Sequence, residues 1–307
     1  MAANWNLALK REALMARARI TQEIRRFFIE GGYLEVETPL RIPAPAPESH
    51  IEPLPSNGWF LHTSPEICMK RMVAAGYDRT FQLCHCWRAG ERGQLHVPEF
   101  TMLEWYRAGT DYCGLMDECE ALVRSVAEGV GSGGMLRFRG ADITLSSPWQ
   151  RISVREAFLQ HGRTSMEEAL QRDIFDEVMV ELIEPQLGMS RPTFIYDYPA
   201  SRGALARLKE SDPTVAERFE LYIGGVELAN AFSELTDPQE QRSRFESEAA
   251  YRAAQGRTPF PLPEKFLQEL AAMPPSAGIA LGVDRLVMVL LDAAAIDEVV
   301  AFTPEDL

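Results

Sequence analysis

Between Leu7 and Glu30 the apolar residues Leu9, Leu14, Ile20, Ile24 and Phe27 or Phe28 recur at helical intervals among charged neighbours. That spacing gathers them on one stripe and predicts an amphipathic helix. Gly31-Gly32 ends it, as glycine commonly does past a helix C-terminus. Tyr33 to Pro39 reads as a short strand closed by proline, and the proline-rich polar stretch Arg41 to Asn57 as a loop. The next helix is predicted to start at Ser64, whose hydroxyl can cap it. Pro65 then suits the first helical position, and Glu66 the positive end of the dipole.

Farther along, helices are predicted over Glu118–Val130, Ser153–Gln160 and Gln239–Gln255, and a helical pattern over Met166–Leu187. Strands are predicted at Arg137–Leu145, Thr193–Tyr198 and Phe219–Val226, with a glycine-serine break at Gly131–Gly134 and a loop at Gly256–Pro263. The expected organisation is one domain over residues 1–307 with a small helical insertion around 150–190.

The most informative stretch is Thr80 to Arg107. Two strand-like runs, Phe81–Arg88 and Glu99–Tyr106, flank the polar, glycine-bearing loop Ala89–Val97, the outline of a β-hairpin with a long tip. Period-two alternation puts Phe100, Met102, Glu104 and Tyr106 on one face, with Arg88 at the loop mouth. A cation, an aromatic plate, a carboxylate and a phenol then line one surface, although a half-solvated hairpin reads much the same way.

Two further stretches carry potential chemistry. In Gly225–Asp237, Glu227 and Glu234 flank a nearly uncharged run of small residues, and carboxylates suit hard divalent cations such as magnesium. Seven positions put the pair on one helical face but on opposite faces of a regular strand, so a shared ion needs a break between them. In Gly278–Arg285 a glycine-bearing strand leads into the apolar run Leu286–Leu291. Asp284 can cap the helix that follows, and Arg285 in its first turn opposes the dipole and asks for an anionic partner.

Composition narrows the setting. The chain is 46% hydrophobic and 25% charged, as in a globular protein, has no run long enough to span a membrane and no secretory pattern, so a cytoplasmic location is expected. Its net charge of −14 disfavours generic nucleic-acid binding and suits a basic protein or a cationic small molecule. Cys84-His85-Cys86 looks at first like a metal site. In a strand, however, His85 points away from the two thiols, and no second ligand pair follows, so Cys68, Cys84, Cys86, Cys113 and Cys119 are read as free thiols.

Together the stretches resemble the catalytic domain of class II aminoacyl-tRNA synthetases. The likeness is greatest to lysyl-tRNA synthetases and, among their relatives, the elongation factor P β-lysine ligases. Gly32–Pro39 resembles the dimer-forming first motif, Trp87–Arg88 through His96–Tyr106 the second, and Gly278–Leu286 the third. The resemblance implies an α+β fold, a mainly antiparallel sheet flanked by helices, and a homodimer. It also implies ATP and Mg2+ as cofactors and lysine or β-lysine as substrate.

It further implies roles for residues. Adenine would lie between Phe100 and Arg285, with Arg88 on the α-phosphate and His96 toward the outer phosphates; Arg88 and Arg285 would be catalytic. Ala89, Gly90, Val97, Leu228 and Gly282 would complete the ATP site, and Glu227 and Glu234 would hold magnesium. Ser64, Pro65, Glu66, Glu104, Tyr106, Glu234 and Ala280 would surround the amino acid. The family's Arg-x-Glu is Arg88-Ala89-Gly90 here, with Glu91 one place late, and the family's Asn after the loop histidine is Val97.

Only a helix precedes the first motif, where lysyl-tRNA synthetases carry an anticodon-binding barrel, so stable tRNA anticodon binding is not expected. Ala280 stands where those enzymes have glycine. Its methyl would crowd an α-ammonium and favour an amino group moved along the chain. The implied reaction is activation of (R)-β-lysine and its transfer to a lysine of elongation factor P. Alternatives are a truncated enzyme acting on tRNA and a non-catalytic regulator.

Overall fold

The computed structural model describes residues 5–48, 51–203 and 205–307. The N-terminal helical pattern is divided at Lys10 into α1 (Trp5–Leu9) and α2 (Arg11–Glu30), and α2 buries Ile20, Ile24 and Phe28 completely. After it, β1 (Leu34–Glu35) is shorter than the predicted strand. The expected loop Arg41–Asn57, apart from Ser49 and His50, which lie outside the described residues, contains two short strands. These are β2 (Arg41–Ile42) and β3 (Pro55–Ser56), which pair with β4 (Trp59–Leu61). Helix α3 (Glu66–Ala74) begins later than predicted because Pro65, not Ser64, occupies the cap position; the Ser64 hydroxyl still accepts the Glu66 amide at 3.0 Å.

The predicted hairpin forms from β5 (Arg79–Trp87) and β6 (Glu99–Ala108), in register from Arg79 opposite Arg107 to Trp87 opposite Glu99. Helix α4 (Tyr112–Gly129) starts six residues before the predicted Glu118, because Asp111 caps it by accepting the Gly114 amide. The expected strand Arg137–Leu145 is instead a small hairpin, β7 (Met135–Phe138) and β8 (Ala141–Thr144).

Strand β9 (Gln150–Ser153) leads into α5 (Val154–His161), where Ser153 and Glu156 form a reciprocal capping box. The Met166–Leu187 pattern breaks into α6 (Met166–Gln171), α7 (Phe175–Val178), a wide π-helical turn (Met179–Ile183) and a tight 3-10 turn (Glu184–Gln186). These pieces share a separate apolar cluster with α5, including Phe158, Phe175, Met179 and Ile183 against Ile195 and Tyr222.

Strands β10 (Thr193–Pro199), β11 (Leu208–Lys209), β12 (Asp212–Ile223) and β13 (Val226–Ser233) follow. The predicted strand Phe219–Val226 runs through what is a turn. Gly224 and Gly225 both have positive φ, 60° and 73°, the geometry that lets a two-residue turn join β12 to β13. The chain ends with α8 (Pro238–Ala254), α9 (Glu264–Glu269), β14 (Ser276–Gly282) and α10 (Val283–Leu290).

Among the described residues, nine strands make one sheet in the order β1-β5-β6-β14-β13-β12-β10-β9, with β11 on β12. Only β1–β5 and β9–β10 pair in parallel. Alternation sorts the two faces. Leu103, Trp105, Ala229, Ala231, Ile279 and Leu281 turn toward α2, α4 and α10 and form the main core. The opposite face carries Glu104, Tyr106, Asn230 and Phe232, bordered by a cluster that includes Ile67, Val73, Phe245 and Phe266.

Asp284 does not cap α10 as expected. It lies inside the first turn, almost fully buried, where it accepts the Thr101 amide at 2.8 Å and pairs with Arg17. It therefore ties α10 to β6 and α2. Asp284→Ala leaves the Thr101 amide without its acceptor and Arg17 without its carboxylate, and should cost about 2–4 kcal/mol in urea denaturation.

Candidate active site

Arg88 leaves β5 with its amide bonded to the Pro98 carbonyl at 2.9 Å. Its guanidinium lies over the Phe100 ring, 5.2 Å from the centroid, and 3.8 Å from Glu91. The Arg88 Nε is buried without a hydrogen-bond partner. In the loop, Ala89 donates its amide to the Glu52 carbonyl at 2.7 Å, and Gly90 has φ 78°. Val97 and Leu228 are core residues, 4% and 2% exposed, so their side chains do not line the site. Only their backbones remain available to a nucleotide.

Arg285 follows Gly282 at the start of α10 and reaches back across the hairpin loop. It donates to the Leu95 carbonyl at 3.2 Å, the Glu227 carbonyl at 2.9 Å and His96 Nε2 at 2.5 Å, and its Nη1 is 3.3 Å from the Glu227 carboxylate. In this state the cation lying directly over Phe100 is Arg88, while Arg285 is engaged by the hairpin loop and Glu227. Burial, then the Arg285 charge, lowers the His96 pKa, which keeps its ring a neutral acceptor for that guanidinium.

The second region is a buried polar cluster positioned by sheet register. Gln82, Glu104, Ala280, Asn230 and Glu220 form one row across five strands, and Thr80, Tyr106, Gly278, Phe232 and Arg218 the next. Tyr106 donates to Glu104 at 2.5 Å, and Ser64 donates to its other oxygen at 2.7 Å. Burial, reinforced by Glu66, raises the Glu104 pKa well above the usual carboxylate range. Glu66, Glu104, Tyr106 and Glu234, four of the residues expected around the amino acid, are thus brought together and buried. Tyr106 and Glu234 pack directly onto Gly278: a Cβ there would collide with the Tyr106 ring and the Glu234 carboxylate.

The structure separates Glu227 from Glu234. A bulge at Leu228 does place Glu227 on the same face as Asn230 and Phe232, supplying the break the spacing required. The two carboxylates nevertheless sit at opposite ends of β13, roughly 20 Å apart at strand rise, too far to ligate one ion. Glu234 instead packs against Lys70, with Oε2 2.5 Å from the ammonium and Oε1 meeting no donor.

Lys70 escaped the sequence reading. It is 1% exposed, 2.5 Å from Glu66 as well as from Glu234, and its ammonium lies 4.9 Å from the Phe232 centroid. The signal was present: Lys70 stands four residues after Glu66 on α3, the spacing of a helical ion pair. Arg218 and Glu220 were also missed, as two charges in a strand predicted only in part. Arg218 bonds Asn230 at 3.0 Å and Glu220 at 2.6 Å.

The Cys84-His85-Cys86 stretch keeps strand alternation, and its two thiols join His62 in a cluster whose ligand atoms lie within 4.8 Å of one another. His85 faces outward to Glu99 at 2.7 Å, the two sulfurs lie 3.9 Å apart, and all five cysteines are free. His62 takes the inward position beside the thiols and donates to the His85 carbonyl at 2.8 Å, a satisfied core histidine.

The model of the tRNA synthetases class II (D, K and N) matches residues 7–306. The chain belongs to that family. Among curated relatives, the elongation factor P–(R)-β-lysine ligase of Salmonella typhi is 39% identical over an alignment of 334 positions, 98% of this chain and 98% of that protein. The proteins of the same name from Salmonella gallinarum and Salmonella heidelberg match to the same extent. This class II chain is an ATP-dependent ligase of the kind that forms aminoacyl adenylates.

If the acidic pocket holds the amino acid, Gly278→Ala closes it while leaving the Arg88 and Arg285 region untouched. Pyrophosphate exchange should then show an amino-acid KM raised about 10-fold or more, with the ATP KM unchanged.

Proposed function

We propose that this protein activates (R)-β-lysine with ATP and transfers it to a lysine side chain of elongation factor P. The observation that carries the reading is the buried pocket of Glu66, Glu104 and Glu234, whose orphaned Glu234 Oε1 calls for an ammonium donor. The full-length likeness to ligases of that name supports the acceptor and the isomer. Ala280 sits opposite both Glu104 and Asn230, so its methyl narrows the pocket where an α-ammonium would lie.

The chemistry is in-line attack by the amino-acid carboxylate on the α-phosphorus. The new carboxylate–phosphorus bond forms as the bond to pyrophosphate breaks. Arg88, at the hairpin mouth beside Phe100, neutralises the α-phosphate, and Arg285 and His96 hold the nucleotide once its charge replaces their mutual contact. In the second half-reaction the ε-amine of the acceptor lysine attacks the acyl carbon. AMP leaves, and the amine proton passes to solvent.

Magnesium fits at Glu227 rather than at Glu234. Glu227 is a partly exposed hard donor, and the neighbouring Glu184 carboxyl is pushed up to about 7 by burial, Glu220 and Glu227, a local excess of negative charge suited to a cation. Bound there, the ion would screen the phosphates and help pyrophosphate leave.

The net charge of −14 favours a basic surface around the target lysine over a tRNA backbone, and a cytoplasmic setting is consistent with both substrates. We also propose a homodimer through the first-motif region. Ile29 and Leu34, 60% and 49% exposed, stand beside the short edge strand β1 and offer an apolar contact.

Purified protein with ATP should exchange pyrophosphate with β-lysine in preference to α-lysine and label elongation factor P; label reaching only tRNA would refute the acceptor. Arg88→Ala should lower exchange about 100- to 1,000-fold with the fold retained. Leu34→Glu should shift sedimentation from dimer toward monomer.

A further inference from the structure

Lys70 is built into the amino-acid pocket from beneath. It projects from α3, is 1% exposed, and ends between Glu66 and Glu234, 2.5 Å from an oxygen of each, with its ammonium over the face of Phe232. A lysine held on three sides in this way has no route to solvent. The groups that face it or its two partners are Glu66 on its own helix, Glu234 after β13, Glu104 and Tyr106 on β6, and Glu48 from the loop before β3. Apart from Lys70 these groups are acids, and the other cations nearby, Arg88 and Arg218, act on Glu48.

Two buried carboxylates that share one space cannot both stay ionised without a cation between them. A carboxyl that has taken up a proton is a poor receptor for an ammonium group. Lys70 occupies one oxygen of each acid and leaves Glu234 Oε1, packed against Gly278, without a donor. The pocket is thereby one cation short at a defined atom.

We propose that Lys70 is a positioning residue that pairs with Glu66 and Glu234 and aims their carboxyl groups, and so makes the site selective for amino acids carrying a second ammonium group. The proposal rests on the functional reading given above. Lys70 does not touch the reacting atoms; it acts through the two carboxylates. Burial pulls its ammonium toward neutrality, but Glu234 and Glu66 outweigh burial and hold it charged. A substrate with a neutral side chain would leave Glu234 Oε1 unpaired and lose the corresponding binding energy.

The test compares wild type, Lys70→Met and Lys70→Arg as full chains in pyrophosphate exchange between about pH 6 and 9, with thermal melting as a check on folding. Lys70→Met removes the charge and keeps the stem. Its amino-acid KM should rise roughly 30-fold or more near pH 7, with the ATP KM unchanged. Burial pushes the Glu234 carboxyl up to about 8 and Lys70 pulls it down, so removing Lys70 raises it further, and the defect should shrink as rising pH takes off the proton that blocks the ammonium. Lys70→Arg should keep the wild-type pH profile, and this variant decides the matter where Lys70→Met does not fold.

An amino-acid KM unchanged or lowered in Lys70→Met would overturn the proposal, the lowered value showing that Lys70 merely plugs an empty site. So would a loss equal at every pH, or an altered pH profile in Lys70→Arg. Wild-type protein run alongside separates the two failures. No exchange with any diamino acid sinks the functional reading, whereas normal wild-type exchange beside an indifferent Lys70→Met sinks this inference alone.

Discussion

Three carboxylates are held out of water on one face of a sheet, with a single ammonium between two of them. In a low-dielectric site that arrangement is costly unless each charge has a partner, and the surrounding structure supplies partners one by one. Tyr106 and Ser64 hydrogen-bond Glu104, and Lys70 bridges Glu66 and Glu234. What remains unsatisfied is Glu234 Oε1, which can lie where it does only because residue 278 has no side chain. The pocket is thus specified as much by what is missing as by what is present.

The rest of the fold serves that face. The helices α2, α4 and α10 cover the opposite side and take up the hydrophobic burial that the acidic side cannot provide. Strand register then places chemistry at fixed intervals: Glu104 beside Ala280 and Asn230, and Tyr106 beside Gly278 and Phe232. At the far end of the same face, Arg88, Phe100, His96, Arg285 and Glu227 gather around the hairpin loop. In this state the cations and acids of that end satisfy one another. Under the function proposed above, a triphosphate would compete for Arg285 with His96, Glu227 and the Leu95 carbonyl, which would couple its binding to rearrangement of the loop.

Much of this was legible in the chain. The hairpin from Arg79 to Ala108 and the face shared by Phe100, Met102, Glu104 and Tyr106 follow from period-two alternation, which a strand cannot evade once one side is buried. The outward turn of His85 follows from the same rule. The order of three motifs likewise pointed to the class II family. Less legible were boundaries set by small local features: the Asp111 cap that starts α4 early, and the glycine pair that turns a supposed strand at Phe219–Val226 into the joint of a hairpin.

Only the tertiary structure decided which charges meet. The pairing of Glu227 with Glu234 looked reasonable from composition, yet the length of β13 keeps them apart and gives each a different partner, Arg285 for one and Lys70 for the other. Asp284 looked like a helix cap and became a clamp on Thr101 and Arg17. The reason is common to these cases. Alternation and capping act over a few residues and can be read from the chain, whereas a buried charge is assigned by whatever distant group the packing brings within reach.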